Sequence, residues 1–93
     1  MNTSAEKVLQ MIKDGHHSTP ALYLAMFPQP VEDFVSMKQG LEEHNVVFEL
    51  RGHANDDKKQ YDLYLVDKGT DSMVLVATNA HPDWLKDRGF EHV

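Results

Sequence analysis

The chain contains no cysteine. Disulfide cross-links and thiolate metal sites, on which small domains often rely, are therefore excluded, and the absence fits a reducing compartment. No apolar run approaches the roughly 20 residues needed to cross a bilayer. The opening Met1-Asn2-Thr3-Ser4 lacks the basic-then-apolar order of a secretory leader. The expectation is a cytoplasmic protein with no membrane contact. Cations are scarce too: nine Lys and Arg stand against fifteen Asp and Glu, a net charge of −6 with histidines neutral. That balance opposes the attraction that dominates nucleic-acid affinity. The longest basic run is Lys58-Lys59, and it follows directly on Asp56-Asp57.

What is present describes one compact domain. The 93 residues are 41% apolar and 26% charged, near the globular average. A chain this short buries only about 60 to 65% of its unfolded surface, so the core is modest. There is no internal repeat and no low-complexity stretch, and residues 1–93 read as a single unit.

Thr3 with Glu6 has the form of a capping box, and Val8, Leu9 and Ile12 then recur at helical spacing up to Gly15. After His16-His17-Ser18, Thr19 suits an N-cap and Pro20 the first helical position. The helix that follows, Ala21 to Phe27, is apolar all round, and Pro28-Gln29-Pro30 ends it. A third helix is predicted from Val31 to His44, with Val31, Phe34, Leu41 and the stem of Lys38 on its inner stripe and Asn45 as a left-handed stop. The period then changes to two. Val46, Phe48 and Leu50 share a face, as do Tyr61, Leu63 and Leu65, which predicts a hairpin with a loop from Arg51 to Gln60. A turn at Asp67 to Ser72 leads into Met73-Val74-Leu75-Val76-Ala77, apolar on both faces and therefore expected to be the best-buried strand. Pro82 opens a last helical turn closed near Gly89, with Trp84 as its anchor to the core. The predicted fold is α+β: three N-terminal helices, a small antiparallel three-stranded sheet and a short C-terminal helix.

The Thr19 cap, the turn at Pro28-Gln29-Pro30, Phe34 and Leu41 of the next helix, and the stop at Asn45-Val46-Val47 together resemble the core of the winged helix-turn-helix superfamily. The resemblance covers roughly residues 4 to 66. It implies that Val31 to His44 occupies the position of a recognition helix, with Arg51 to Gln60 as the wing. The chain departs from that pattern where it matters for DNA. A groove-reading helix offers Arg, Lys, Asn or Gln to base edges. Here the face opposite Phe34 and Leu41 collects Glu32, Asp33, Ser36, Gln39, Gly40 and Glu43.

Motifs for catalysis are few. There is no nucleophile elbow, phosphate-binding glycine loop, H-E-x-x-H helix or dinucleotide fingerprint. His16 and His17 near Asp14 could ligate a metal, but adjacent side chains on an extended segment point apart. His81 with Asp83 could pair as acid and base, yet Asn79 to Asp83 reads equally as the turn entering the last helix. Asp67-Lys68-Gly69-Thr70-Asp71 has the look of a calcium loop but carries Thr78 where the closing glutamate belongs.

The expectation is therefore a non-catalytic interaction module that needs no cofactor or metal. Glu32, Asp33, Ser36, Gln39 and Glu43, with the apolar Tyr23 and Phe27, would meet a protein partner bearing a basic surface. One version is a small acidic inhibitor, of the kind phages encode, that occupies a groove built for nucleic acid. The alternative is a winged-helix DNA-binding regulator that reads bases with Ser36 and Gln39 and holds phosphates with Arg51, Lys58 and Lys59. Either a monomer or a homodimer fits.

Overall fold

The computed structural model describes residues 3–15, 18–55, 58–91 and 93. Its elements are α1 (Thr3–Lys13), α2 (Thr19–Met26), α3 (Val31–Glu43), β1 (Val46–Asn55), β2 (Lys58–Asp67), β3 (Ser72–Ala80) and α4 (Pro82–Asp87). The strands form one antiparallel sheet in the order β1-β2-β3. The α+β order expected from the sequence is the observed one.

Local chemistry sets the helix ends. Helix α1 begins at Thr3 itself, so the residue that would cap it lies outside the described residues. Helix α2 is capped one residue earlier than expected: the Ser18 hydroxyl accepts the Ala21 N–H at 3.4 Å, and Thr19 and Pro20 fall within the first turn. Ser18 is extended, with φ −68° and ψ 152°, the backbone that an N-cap requires, while Pro20 loses nothing by lacking an N–H in the first turn. Helix α3 has no side-chain cap, but Glu32 and Asp33 sit in its first turn, where carboxylates oppose the positive end of the helix dipole. His44 is its C-cap, and Asn45 follows at φ +60°, the left-handed stop read from the sequence.

The inner stripe of α3 is Phe34, Met37, Gly40 and Leu41, all buried. This corrects two expectations. Gly40 belongs to the buried side and not to the polar face, while Val31 is 37% exposed. Centring the stripe on Met37 and Leu41 rotates it enough to bring Gly40 in and turn Val31 out, and Met37 supplies the volume that Val31 was expected to give. Helix α3 packs chiefly on α1 and β1.

The strands extend further than the turn residues suggested. Pairing runs from Val46 opposite Asp67 to Asn55 opposite Lys58, so the expected loop from Arg51 to Gln60 is almost all hairpin. Only 56 and 57 lie between the strands, and those residues, Asp56 and Asp57 of the expected wing tip, fall outside the described residues. Ladder hydrogen bonds offset the polar character of this segment. Gly52 faces Tyr61 and leaves room for its ring: a Cβ there would lie 3.1 Å from Tyr61 Cε1.

Placement of the third strand also differs. Met73 to Ala77 was expected to be the best-buried strand, but β3 is an edge and β2 is the centre. Tyr61, Leu63 and Leu65 of β2 are all buried, whereas Met73 is 38% exposed. Val74 and Val76 of β3 meet the core, while Met73 lies against Arg51 on the outer face.

One core joins Ala5 and Val8 of α1, Leu22 and Met26 of α2, Phe34, Met37 and Leu41 of α3, and Val46, Leu65 and Val76 of the sheet. A satellite cluster of Tyr61, Ala80 and Leu85 fastens α4. Leu85 is fully buried there, and Trp84 bridges the two clusters. Burying a side chain such as Leu22 or Phe34 contributes about 1.5 to 3 kcal/mol. This modest core is therefore the main source of stability.

Candidate partner-binding surfaces

Two separate surfaces contain the residues singled out by sequence. The first is the outward face of α3. Glu32, Asp33, Ser36, Gln39 and Glu43 are all exposed, and Glu42 joins them. Among the described residues, none of Glu32, Asp33 or Glu43 makes an ion pair. Glu42 meets Lys38 at 3.8 Å, one helical turn away, in a solvent-screened contact of the kind that contributes about 0.3 to 0.5 kcal/mol. The Lys38 ammonium also lies 4.9 Å from the Phe90 ring centroid, which holds its stem down on the protein. The face is thus left negative by its own neighbours.

The second surface lies along α2. Tyr23 and Phe27 stack with centroids 4.5 Å apart, and Phe27 stacks in turn on Trp84 at 4.6 Å. The Arg88 guanidinium closes the column 3.9 Å from the Trp84 ring and donates to the Trp84 carbonyl at 3.1 Å. Phe27 is consequently half-buried inside the molecule, whereas Tyr23 at the open end is 46% exposed. Leu24, part of the apolar stretch of α2 but not singled out from the sequence, is 71% exposed beside it. Sequence reasoning missed the groove of about 420 Å³ that Tyr23, Leu24 and Pro20 form with Val76, Ala77 and Thr78 of β3. A smaller hollow of about 220 Å³ continues from Tyr23 to His81 and Trp84. The signal that could have found this surface is an absence: no Asp, Glu, Lys or Arg occurs from Gly15 to Val31 or from Ser72 to Pro82.

No family model, curated protein or solved structure matches this chain. The arrangement of its side chains has to carry the functional reading.

The cations proposed for DNA contact are partly engaged. Arg51 lies over the Tyr64 ring at 5.2 Å and donates to the Met73 sulfur at 3.7 Å, across the outer face of the sheet. Lys59 lies 5.4 Å from the Tyr61 ring centroid. Lys58 begins β2.

The remaining motifs resolve locally. The His81 Nδ1 accepts the Asp83 N–H at 3.1 Å and so caps α4, with both side chains open to solvent. Asp67 Oδ1 accepts the Gly69 N–H at 2.9 Å, closing the turn that the calcium-like segment forms. Among the described residues no group of three or more His, Asp or Glu side chains is placed to hold a metal ion. His16 and His17 lie outside those residues. A cleft of about 670 Å³ opens between α1 and the sheet over Leu9, Ile12 and Val74, with Lys13 and Asp67 on its lining. His44 lines it as well, and this mixture of groups selects no charge in a ligand. Among the described residues no helix is long and apolar enough to cross a membrane.

Proposed function

We propose that this chain is a non-catalytic protein-binding module whose α3 face docks on a basic surface of its partner. The observation that carries the reading is the exposure of Glu32, Asp33 and Glu43 without an ion pair among the described residues, on a chain of net charge −6. Carboxylates already compensated by local cations would add little to association. Uncompensated ones steer encounter with a positive surface and suppress other partners. An acidic inhibitor that occupies the nucleic-acid groove of an enzyme is the most concrete version, since the same electrostatics that attracts phosphates attracts exposed carboxylates.

The test is capture from host lysate by the purified protein, repeated with Glu32, Asp33 and Glu43 all changed to lysine. Wild-type protein should retain a basic partner that 0.5 M salt releases, and the variant should lose it. Equal capture by both proteins removes the α3 face from the mechanism. Helix α3 weakens somewhat in the variant, by about 0.3 to 1 kcal/mol for each carboxylate lost from its first turn, so folding is checked by circular dichroism. A gel shift on duplex DNA at low salt addresses the regulator reading: a salt-sensitive complex lost on changing Arg51 and Lys59 to alanine would favour it over protein binding.

A further inference from the structure

Strand β3 has an open edge. Its backbone pairs with β2 on one side, and among the described residues no hydrogen bond reaches the other. Such edges are templates for strand addition, and proteins usually blunt them with charge or proline. The opposite edge of the sheet is blunted this way, since β1 carries Glu49, Arg51 and His53. From Ser72 to Ala80 there is no charged residue and no proline. The ladder with β2 is regular from Ser72 to Leu75, and its irregularities come only after that point.

The neighbouring helix continues the pattern. Helix α2 and its flanks, Gly15 to Val31, are equally free of Asp, Glu, Lys and Arg, in a chain with fifteen acidic and nine basic residues. Exposed Leu24 stands as a knob beside the groove formed by Tyr23, Pro20 and Ala77. Knob and hole on one face make that face complementary to itself, which a two-fold contact requires.

We propose that the uncharged α2/β3 face is a self-association surface, on which a second copy of this chain adds its β3 antiparallel to the first and its Leu24 enters the groove beside α2. Charge decides between a second copy and a basic partner. A basic surface gains nothing from a neutral face, whereas two copies of net charge −6 repel wherever their carboxylates meet and can close only where these are lacking. Antiparallel pairing about a two-fold gives a six-stranded continuous sheet, occupies the open backbone groups of both copies and uses none of the α3 carboxylates. The inference is independent of the acidic-face reading.

Sedimentation velocity over a thousandfold range of concentration tests it, alongside amide hydrogen exchange. A concentration-dependent dimer is expected, with protection gained in residues 72–78. Leu24→Glu and Thr78→Lys each put a charge into the uncharged seam at an exposed position, where it would be desolvated without a partner, and each should weaken the dimer about tenfold or more. Glu49→Lys, on the other edge strand, should leave it unchanged. A chain that stays monomeric throughout overturns the proposal, as does a dimer indifferent to both substitutions. Binding of an apolar segment from another protein by a strictly monomeric chain would assign the face to that partner instead. The acidic-face variant of the lysate experiment should remain dimeric, so failure of one reading is distinguishable from failure of the other.

Discussion

Phe27 and Trp84 lie face to face, their planes only 5° from parallel, and join the end of α2 to α4. Trp84 also meets Phe34 edge-on at 5.3 Å. The C-terminal helix is short, and its other anchors are Leu85 in the satellite cluster and Phe90, just beyond it, against Phe34 and Phe48.

Replacing Trp84 with alanine should therefore lower stability by about 3 to 5 kcal/mol, and replacing it with phenylalanine, which keeps a ring on Phe27, should cost less. Urea unfolding followed by circular dichroism measures the difference. Fluorescence is unsuitable, because Trp84 is the single tryptophan. A loss below about 1 kcal/mol for the alanine variant would show that the column does not anchor α4.

Tyr61 is 5% exposed, and its hydroxyl is buried without a hydrogen-bond partner among the described residues. An unpaired buried hydroxyl costs about 1 to 3 kcal/mol. Tyr61→Phe should consequently leave stability unchanged or raise it by about 1 kcal/mol, read as a higher urea midpoint at constant slope. A clear loss would mean that the hydroxyl is paired in solution.

Asn45 sits at φ +60° between α3 and β1, and its carbonyl accepts the Lys68 N–H at 2.9 Å. Asn45→Val should destabilise by about 1 to 2 kcal/mol, because a β-branched side chain crowds that backbone. Asn45→Gly should be neutral within about 0.5 kcal/mol. Thermal unfolding of the two variants separates backbone conformation from side-chain contact.

These sites divide into features that short stretches of sequence carry and features that only the assembled fold supplies. Caps, stops and period changes are local, so the α+β order, the stop at Asn45 and the hairpin phase were legible. The rotation of α3 was not: Val31 and Met37 are both apolar, and which of them enters the core depends on where α1 and β1 meet the helix. Strand order was hidden for a similar reason. A segment apolar on both faces reads the same whether it lies in the middle of a sheet or at an edge with one side uncovered. The acidic face was legible because charges opposite an apolar stripe need only the helix period. The groove beside Tyr23 was not, since α2 and β3 are distant in sequence and its mark is a pair of intervals without charge.

Core truncation should be felt throughout the fold. Phe34 is fully buried and touches Phe27, Phe48, Phe90 and Trp84. Phe34→Ala removes about 3 to 5 kcal/mol, a large fraction of what a domain of this size possesses. Differential scanning calorimetry should show a midpoint lowered by well over 10 °C or no cooperative transition. A variant melting within a few degrees of wild type would place the main support of the core elsewhere.

Each strand pairs with the strand next to it in the chain. Ring closure in the sheet is therefore entropically cheap, since its logarithmic cost is counted over only a few connecting residues. Assembly of the hairpins should be a rapid, local event, and the expected slow step is the docking of the three helices on the meander. Damage to the packing of Leu22, Met26 or Phe34 should slow renaturation or hasten its reverse far more than lengthening either strand connection would.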